Sequence, residues 1–282
     1  MTKHLRLAPA ALLAVAALWG GTFFLMKTAI ARQDVNSFLF TRFLVAVVAM
    51  VLIRPRFFRN LSKDIIAKGF FAGCFLATGY ILQTLGLART TAAVTGFVTG
   101  LYVVLTPLIA SVLFHKKIAR KTWFYISIAT IGLGLLSLHG WSVGTGELLV
   151  LGSALAYAGH IISLEKWSSG RDTYALTIVQ LATCALLSGL ASLRAGYHAP
   201  PDRGVWAVVI YTALFATAFA FIVQTWAQAH IASTKVAVIL TMEVVFAALF
   251  AVIFGGESLT LQVGVGGAFV LSAMYLIVLD EA

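Results

Sequence analysis

Charged residues are scarce in this chain of 282 residues: Asp, Glu, Lys and Arg make up 11% of it, and apolar residues make up 61%. A typical soluble globular domain carries roughly 25% charged residues. So few charges cannot cover a surface that faces water, whereas lipid solvates apolar side chains directly. The composition therefore predicts an integral membrane protein and leaves no room for a sizeable soluble domain.

Cysteine is rare as well, and the two cysteines do not indicate a chemical site. Cys74 and Cys184 each lie within an apolar run. Neither has the convergent partners that a disulfide or a metal site requires, so we expect both to be small core residues. The sequence predicts no metal and no cofactor.

The motifs of membrane-embedded enzymes are also missing. The sequence has no HExxH pair, no closely spaced histidines, and no second acid deep in an apolar run besides Glu243. It lacks a GxxxxGK[ST] phosphate-binding loop, which argues against direct use of ATP. We therefore expect no catalytic residue. Transport would follow the substrate gradient or couple to protons, and the sequence leaves both open.

Ten apolar segments are each close to the length of about 20 residues that a spanning helix needs. Short loops join several of them, so consecutive helices should be antiparallel neighbours. The first segment is longer than the apolar part of a cleaved signal peptide, which predicts a permanent span. The predicted spans are residues 7–28, 37–53, 66–87, 91–114, 122–138, 146–165, 174–194, 204–227, 232–254 and 260–279.

The formal net charge of +10 indicates membrane orientation rather than nucleic-acid binding. Fourteen Lys and Arg residues fall at the N-terminus and in the even-numbered loops, five fall in or beside the odd-numbered loops, and Arg42 lies within a span. Loops that are rich in Lys and Arg stay in the cytoplasm. This asymmetry predicts a multi-pass protein of the inner (plasma) membrane with both termini in the cytoplasm.

The two halves of the chain resemble each other. Gln83-Thr84 recurs 141 residues later as Gln224-Thr225, and several apolar residues match at the same offset. Each half would hold five spans, and an odd number makes the second half enter the membrane from the opposite face. Inverted repeats of this kind place a substrate site near the midplane and open it alternately to either side. We predict repeats over residues 1–140 and 141–282.

Several motifs resemble the drug/metabolite transporter superfamily, EamA type. The first span contains Leu18-Trp19-Gly20-Gly21-Thr22-Phe23-Phe24, which is similar to the family's WGxxF opening. The second contains Phe40-Thr41-Arg42-Phe43-Leu44, which matches the arginine-bearing second helix, and Gly255-Gly256-Glu257-Ser258-Leu259 resembles the turn after the ninth. Two positions depart from the pattern, because Val244 replaces a proline and Lys116-Lys117 stands where GE is common.

The resemblance covers nearly the whole chain and implies an all-α integral membrane protein. Its ten transmembrane helices would form two inverted five-helix repeats around a central cavity. Members of the family export amino acids, other metabolites or toxic cations, and some relatives exchange sugar phosphates or nucleotide sugars. The chain is most similar to the bacterial exporters of amino acids, including aromatic ones.

We therefore predict a secondary transporter that exports small polar metabolites, above all amino acids, across the bacterial inner membrane by alternating access. Export of drugs or organic cations is the alternative, together with exchange of sugar phosphates or nucleotide sugars. The expected partners are a small-molecule substrate and membrane lipids, with no nucleic acid. A monomer is compatible with this function.

Polar groups inside spans are costly, at roughly 2.5–3.5 kcal/mol for a charge at the helix centre. They therefore tend to face the interior of a helix bundle. Polar and aromatic residues follow helical spacing on the first, third, fourth, sixth, eighth and ninth spans, which the resemblance implies line the cavity. The predicted substrate-binding residues are Trp19, Tyr80, Gln83, Thr99, Tyr102, Tyr157, His160, Gln224 and Glu243.

Each of these residues also has a structural alternative. A threonine often bonds the carbonyl four residues earlier, a glutamine can join two helices, and a tyrosine can lie in an interfacial belt. His160 can be a core histidine, and Trp19 can simply pack. Glu243 can contact a substrate ammonium, relay protons, or pair with Arg42 or Lys235. Arg42 is expected to anchor helices rather than touch substrate.

Overall fold

In the computed structural model, the chain is almost entirely helical. The structure describes residues 3–114, 120–139, 142–230, 236, 239–240 and 242–281. The described α-helices are α1 (Lys3–Ile30), α2 (Val35–Ile53), α3 (Lys63–Leu87), α4 (Ala92–Gly100), α5 (Tyr102–Phe114), α6 (Arg120–Ser137), α7 (Thr145–Trp167), α8 (Thr173–Ser192), α9 (Arg203–Ala213), α10 (Ala220–Gln228), α11 (Met242–Ile253) and α12 (Leu261–Glu281).

Three short elements accompany these helices. A 3-10 helix spans Pro55–Asn60, and a π-helix spans Leu214–Phe219 between α9 and α10. Strands β1 (Leu138–His139) and β2 (Ser142–Val143) pair antiparallel next to α7. The 3-10 helix and the strand pair lie in predicted loops or at their boundaries, whereas the π-helix lies inside the predicted eighth span.

Six described segments are long and apolar enough to cross a membrane by length and composition. They are Ala8–Ile30, Val35–Ile53, Lys63–Leu87, Thr145–Trp167, Thr173–Ser192 and Arg203–Gln228. Four shorter apolar segments, Ala92–Thr106, Trp123–Gly132, Met242–Ile253 and Leu261–Ala273, overlap the remaining predicted spans. Lys116-Lys117 and most of the first half of the predicted ninth span lie outside the described residues.

Polar side chains at the loop ends fix where several helices begin. The first N–H groups of a helix have no partner within it, and a side-chain oxygen just before the helix can accept their hydrogen bonds. The residues that do this are Asp34 for α2, Ser62 for α3, Thr91 for α4, Asp172 for α8 and Asp202 for α9.

The predicted fourth span is two helices rather than one. The α-helix is interrupted at Leu101, whose N–H group donates to the carbonyl of Val98 at 3.2 Å, a tighter turn than that of an α-helix. Gly100, which has a low helix propensity, ends α4 just before this turn. The break places Tyr102 at the start of α5, in the middle of the bundle.

Close approaches between helices occur at small residues. A Cβ atom on Gly20 of α1 would lie 2.7 Å from the backbone nitrogen of Ala247 in α11, so only glycine fits there. A Cβ atom on Gly132 of α6 would lie 2.8 Å from the carbonyl of Gly266 in α12. Small residues allow helices to approach each other this closely in a membrane. Elsewhere, α3 packs against α7 and α8, and α2 packs against α8.

The two cysteines differ in their surroundings. Cys184 is buried in α8, as expected, but Cys74 of α3 is partly exposed, and both are free thiols. The expectation of burial was wrong for Cys74, because the neighbouring Gly73 faces α8 and one residue further turns the side chain away from that contact.

The loops form two separate groups. In one group, Arg54 and Asn60 before α3 contact Asp172 before α8, and Arg171 donates to Asp64 at 2.6 Å. In the other group, the contacts join Lys27 with Glu257, Thr90 with Glu147, and Arg32 with Asp202. Each group brings together loops that the charge pattern assigns to one side of the membrane.

Candidate functional site

A small cavity of about 50 Å³ lies in the centre of the bundle. Helices α1, α3, α4 and α5 line it from the first half of the chain, and α7, α10 and α11 line it from the second half together with Leu240. The lining residues are Trp19, Thr22, Phe23, Leu76, Tyr80, Gln83, Thr99, Tyr102, Tyr157, His160, Ile161, Phe221, Gln224, Leu240 and Glu243.

All nine predicted site residues line this cavity. Six further described lining residues were not predicted, although each lies at helical spacing from a predicted residue or next to one: Thr22, Phe23, Leu76, Ile161, Phe221 and Leu240. Thr22 follows Trp19 by three residues, Leu76 precedes Tyr80 by four, and Ile161 follows His160 directly. Helical geometry alone places the first two on the same face as their predicted neighbours.

Other polar residues on the same spans do not line the cavity. Thr95, Thr106 and Ser153 donate to backbone carbonyls of their own helices, at 2.8, 2.6 and 2.6 Å. This is the ordinary behaviour of hydroxyl side chains within a helix. Gln228 points instead at the carbonyl of Ile161, at 3.4 Å.

Aromatic rings enclose much of the cavity. The ring of Phe221 lies 5.3 Å from Trp19, 6.1 Å from Tyr80 and 6.1 Å from His160, measured between centroids. Tyr80 and Tyr157 meet edge to face at 5.7 Å. Such tilted and edge-on pairs are the preferred arrangement of aromatic side chains. The ring faces that remain can contact an apolar group or a cation.

Gln83 is fixed between three helices. Its Nε2 donates to Thr99 Oγ1 at 3.0 Å, and the Tyr157 hydroxyl donates to its Oε1 at 3.0 Å. The amide therefore joins α3 to α4 and α7, which is the structural role that the sequence left open. It does this at the cavity wall, so it also holds Thr99 and Tyr157 in place around the cavity.

His160 is oriented by a hydrogen bond from behind the cavity. Its Nε2 lies 2.7 Å from Gln180 Oε1, while the Gln180 amide nitrogen donates to the Leu176 carbonyl at 3.2 Å. Because the amide oxygen of Gln180 accepts, Nε2 of His160 carries a proton in this network. In a neutral ring, Nδ1 is then the acceptor nitrogen.

Trp19 is anchored to the π-helix. Its indole N–H group donates to the carbonyl of Ala216 at 2.8 Å. The neighbouring Thr217 Oγ1 accepts a hydrogen bond from Arg42 Nε at 2.8 Å. In the π-helix the hydrogen bonds run five residues back, as from the N–H group of Ala220 to Phe215. Irregular turns of this kind often occur at functional sites.

Two polar atoms at the cavity have no partner among the described residues. They are the Tyr102 hydroxyl and Gln224 Oε1, and both are buried. Buried polar groups in proteins are nearly always hydrogen-bonded. These two atoms are therefore free to bond a molecule that enters the cavity.

Glu243 is the one formally charged residue among the described residues that line the cavity, and 7% of it is exposed. No hydrogen bond or ion pair joins it to another described residue, so the pairing with Arg42 that the sequence allowed is not formed. Lys235, the other proposed partner, lies outside the described residues. A buried carboxylate is costly unless a cation or hydrogen-bond donors compensate it.

A bundle of apolar helices around a central cavity lined by polar and aromatic groups is typical of a membrane transport protein. A model of the EamA-like transporter family matches the chain twice, over residues 7–138 and 144–279. Because these matches cover most of its length, the chain belongs to the EamA-like transporter family. This membership indicates a role in transport.

Individual relatives agree with this assignment. Two proteins of Archaeoglobus fulgidus, both described as uncharacterized transporters, are similar along most of the chain. One is 32% identical over 94% of this chain and 83% of its own length, and the other is 23% identical over 92% and 93%. A crystal structure of a protein with 14% identity matches with a TM-score of 0.69 over 95% of both chains, a likeness of fold alone.

Proposed function

We propose that this protein is a secondary transporter that exports small amine-bearing metabolites, above all amino acids, across the bacterial inner membrane. The observation that carries the proposal is Glu243, an unpaired carboxylate in an otherwise neutral cavity lining. A substrate ammonium would supply the cation that this carboxylate needs. The Tyr102 hydroxyl would donate a hydrogen bond to the substrate carboxylate, and Gln224 Oε1 would accept one from the ammonium. The aromatic rings would contact the substrate side chain.

We also propose ten transmembrane helices arranged as two inverted repeats, over residues 1–140 and 141–282. Support comes from helix contacts that occur twice: the first helix of each repeat packs against the fourth helix of the other repeat. Helix α1 packs against α11, and its counterpart α7 packs against α4 and α5. The last helices of the repeats, α6 and α12, pack against each other. Both repeats contribute to the cavity, which fits alternating access.

Both termini would lie in the cytoplasm. The excess of Lys and Arg in one set of loops supports this orientation. The grouping of the loops supports it too, because the loops that contact one another are those that the charge pattern places together.

Export of organic cations is the second candidate, and the aromatic enclosure beside a carboxylate favours it. Sugar phosphates and nucleotide sugars fit less well. Their dianionic phosphates call for several Lys or Arg side chains, and none is present among the described residues that line the cavity. The ranking of substrates therefore rests on whether a carboxylate is recognised along with the amine.

Transport into liposomes that contain the purified protein tests this ranking. The panel is tryptophan, tryptamine, indole-3-propionate and glucose 6-phosphate, of which the first three differ only in their charged groups. We expect saturable transport of tryptophan, weaker transport of tryptamine, and none of the other two. Transport of tryptamine alone would favour the organic-cation candidate, and transport of glucose 6-phosphate alone would overturn both.

A further inference from the structure

We infer that Arg42, which does not touch the cavity, makes the site prefer substrates that carry a carboxylate. The inference rests on the proposed function, since it concerns the selectivity of the same site. Arg42 lies in α2, a helix that contributes no residue to the described lining. Its guanidinium carbon is 5.0 Å from the ring centroid of Tyr80, and Tyr80 does line the cavity. One aromatic ring therefore separates this cation from the cavity.

Several contacts fix the Arg42 side chain, which is only 1% exposed. Nε donates to Thr217 Oγ1 at 2.8 Å, and Nη1 lies 3.1 Å from the sulfur of Met26. The guanidinium carbon lies 5.8 Å from the centroid of the Phe43 ring, and it also packs on the Tyr80 ring. These contacts hold the guanidinium against the Tyr80 ring.

The charge of Arg42 is not neutralised by an acid among the described residues. Ion pairs in the described part of the chain join other cations, such as Arg54 and Arg171, to acids in the loops or at helix ends. Arginine stays protonated in proteins, and a hydroxyl, a thioether and aromatic rings do not cancel a full charge. Its field therefore extends through Tyr80 into the cavity.

This field acts differently on the two charged groups of a substrate. Next to Tyr80, this field attracts a carboxylate and repels an ammonium. In its own part of the cavity, Glu243 attracts an ammonium and repels a carboxylate. A zwitterion satisfies both charges, whereas a monocation satisfies Glu243 alone. At a separation of roughly 8 to 10 Å and an effective dielectric constant of about 20, one such charge changes affinity by about tenfold or more.

A purely structural role for Arg42 predicts something else. If Arg42 only anchors α2 to the π-helix, its replacement alters the folded fraction or the turnover of every substrate to the same degree. If Arg42 sets selectivity, its replacement changes the ratio between substrates. The ratio of the KM values for tryptophan and tryptamine therefore separates the two roles.

The experiment compares Arg42→Met, Arg42→Lys and Thr217→Val in liposomes. Methionine removes the charge but keeps an apolar chain, and replacing a buried charge by an apolar residue is often tolerated. We expect Arg42→Met to raise the KM for tryptophan by about tenfold relative to that for tryptamine. Arg42→Lys, which keeps the charge, and Thr217→Val, which removes only the anchoring hydrogen bond, should stay close to the wild-type ratio.

An unchanged ratio in Arg42→Met overturns the inference, whether transport as a whole is kept or reduced. If that variant does not fold, the wild-type protein provides a second measurement with tryptophan amide, in which the carboxylate is neutral. A KM for the amide equal to that for tryptophan would also overturn it. Failure of the proposed function looks different, because the wild-type protein would then not transport tryptophan at all.

Discussion

Glu243 sits where apolar and aromatic side chains meet neutral hydrogen-bonding groups, at a depth where an uncompensated carboxylate is costly. Close packing at Gly20 brings the backbone of α11 against α1, the helix that contains Trp19, and limits the movement of α11. The free Tyr102 hydroxyl and Gln224 carbonyl lie around the same cavity. Together these groups can bind both ends of a zwitterion.

Replacement of Glu243 by glutamine keeps its shape and removes its charge. We expect Glu243→Gln to raise the KM for amine-bearing substrates by at least about tenfold, because a hydrogen bond to a charged group contributes about 1.5–3 kcal/mol. The melting temperature should stay near that of the wild type, since no described residue depends on this carboxylate. Transport assays and thermal unfolding of the same preparation measure both.

Glu165→Gln is the matched control, because Glu165 is an exposed acid of α7 away from the cavity. It should leave both KM and melting temperature unchanged. If Glu243→Gln lowers the melting temperature while transport per folded molecule stays at the wild-type level, then Glu243 has a structural role and the polar aromatic residues form the whole site.

Nine of the fifteen described lining residues could be predicted from the sequence, but most of their hydrogen bonds could not. Polar and aromatic residues at helical spacing identify the face of each helix that avoids lipid. The contact of Trp19 with Ala216, or of His160 with Gln180, depends on how one helix is rotated against another. A single sequence carries no direct signal for that rotation.

At the level of helices, hydropathy located the apolar segments but not their internal irregularities. The break at Leu101 and the π-helix Leu214–Phe219 both lie inside continuous apolar runs. Hydropathy depends on composition over a whole window, whereas these features depend on one or two backbone hydrogen bonds. Both irregularities border the cavity helices, so the local geometry of the site was the part least accessible from the sequence.

The start of α8 gives a prediction about pH. Partial burial of Asp172 would raise the pKa of its carboxyl, but hydrogen bonds from the Ala175 backbone and Asn60, and the charge of Arg54, hold that pKa below its usual value of 3.8. A carboxyl with a lowered pKa stabilises the fold above its usual pKa and loses this effect as the pH falls through the lowered value. The stability should therefore decline below about pH 4.

Asp172→Asn keeps a capping side chain but removes the charge, so it should cost up to about 1 kcal/mol at neutral pH through lost attraction to Arg54 and to the N-terminus of α8. It should also make the decline below about pH 4 shallower, because one carboxyl that must be protonated is gone. Thermal unfolding in detergent between about pH 3 and about pH 7 measures both effects. An acid decline identical to that of the wild type would show that Asp172 does not contribute.

At the scale of the whole molecule, the two groups of loops define the two ends of the bundle. The loop that contains Ser169 lies with the loop before α3, and the loop that contains Ala199 lies with the loop after α1. Neighbouring helices that run antiparallel would place these two groups on opposite sides of the membrane. Charge counting then assigns the Ser169 group to the cytoplasm.

Cysteine labelling tests this topology in a background that carries Cys74→Ala and Cys184→Ala. Ser169→Cys and Ala199→Cys each introduce one exposed thiol. With an impermeant maleimide on intact cells, we expect Ala199→Cys to be labelled and Ser169→Cys to react only after permeabilisation. The reverse pattern at both positions would invert the topology.

Accelerated exchange in proteoliposomes tests most directly whether the central cavity binds substrate and opens alternately to the two sides. Liposomes with the purified protein are loaded with unlabelled tryptophan, and the uptake of labelled tryptophan is compared with that into empty liposomes. We predict that internal substrate accelerates uptake, that the rate saturates, and that Glu243→Gln shifts saturation to higher concentration while Glu165→Gln does not. A rate that rises linearly with concentration and does not respond to internal substrate would contradict the account.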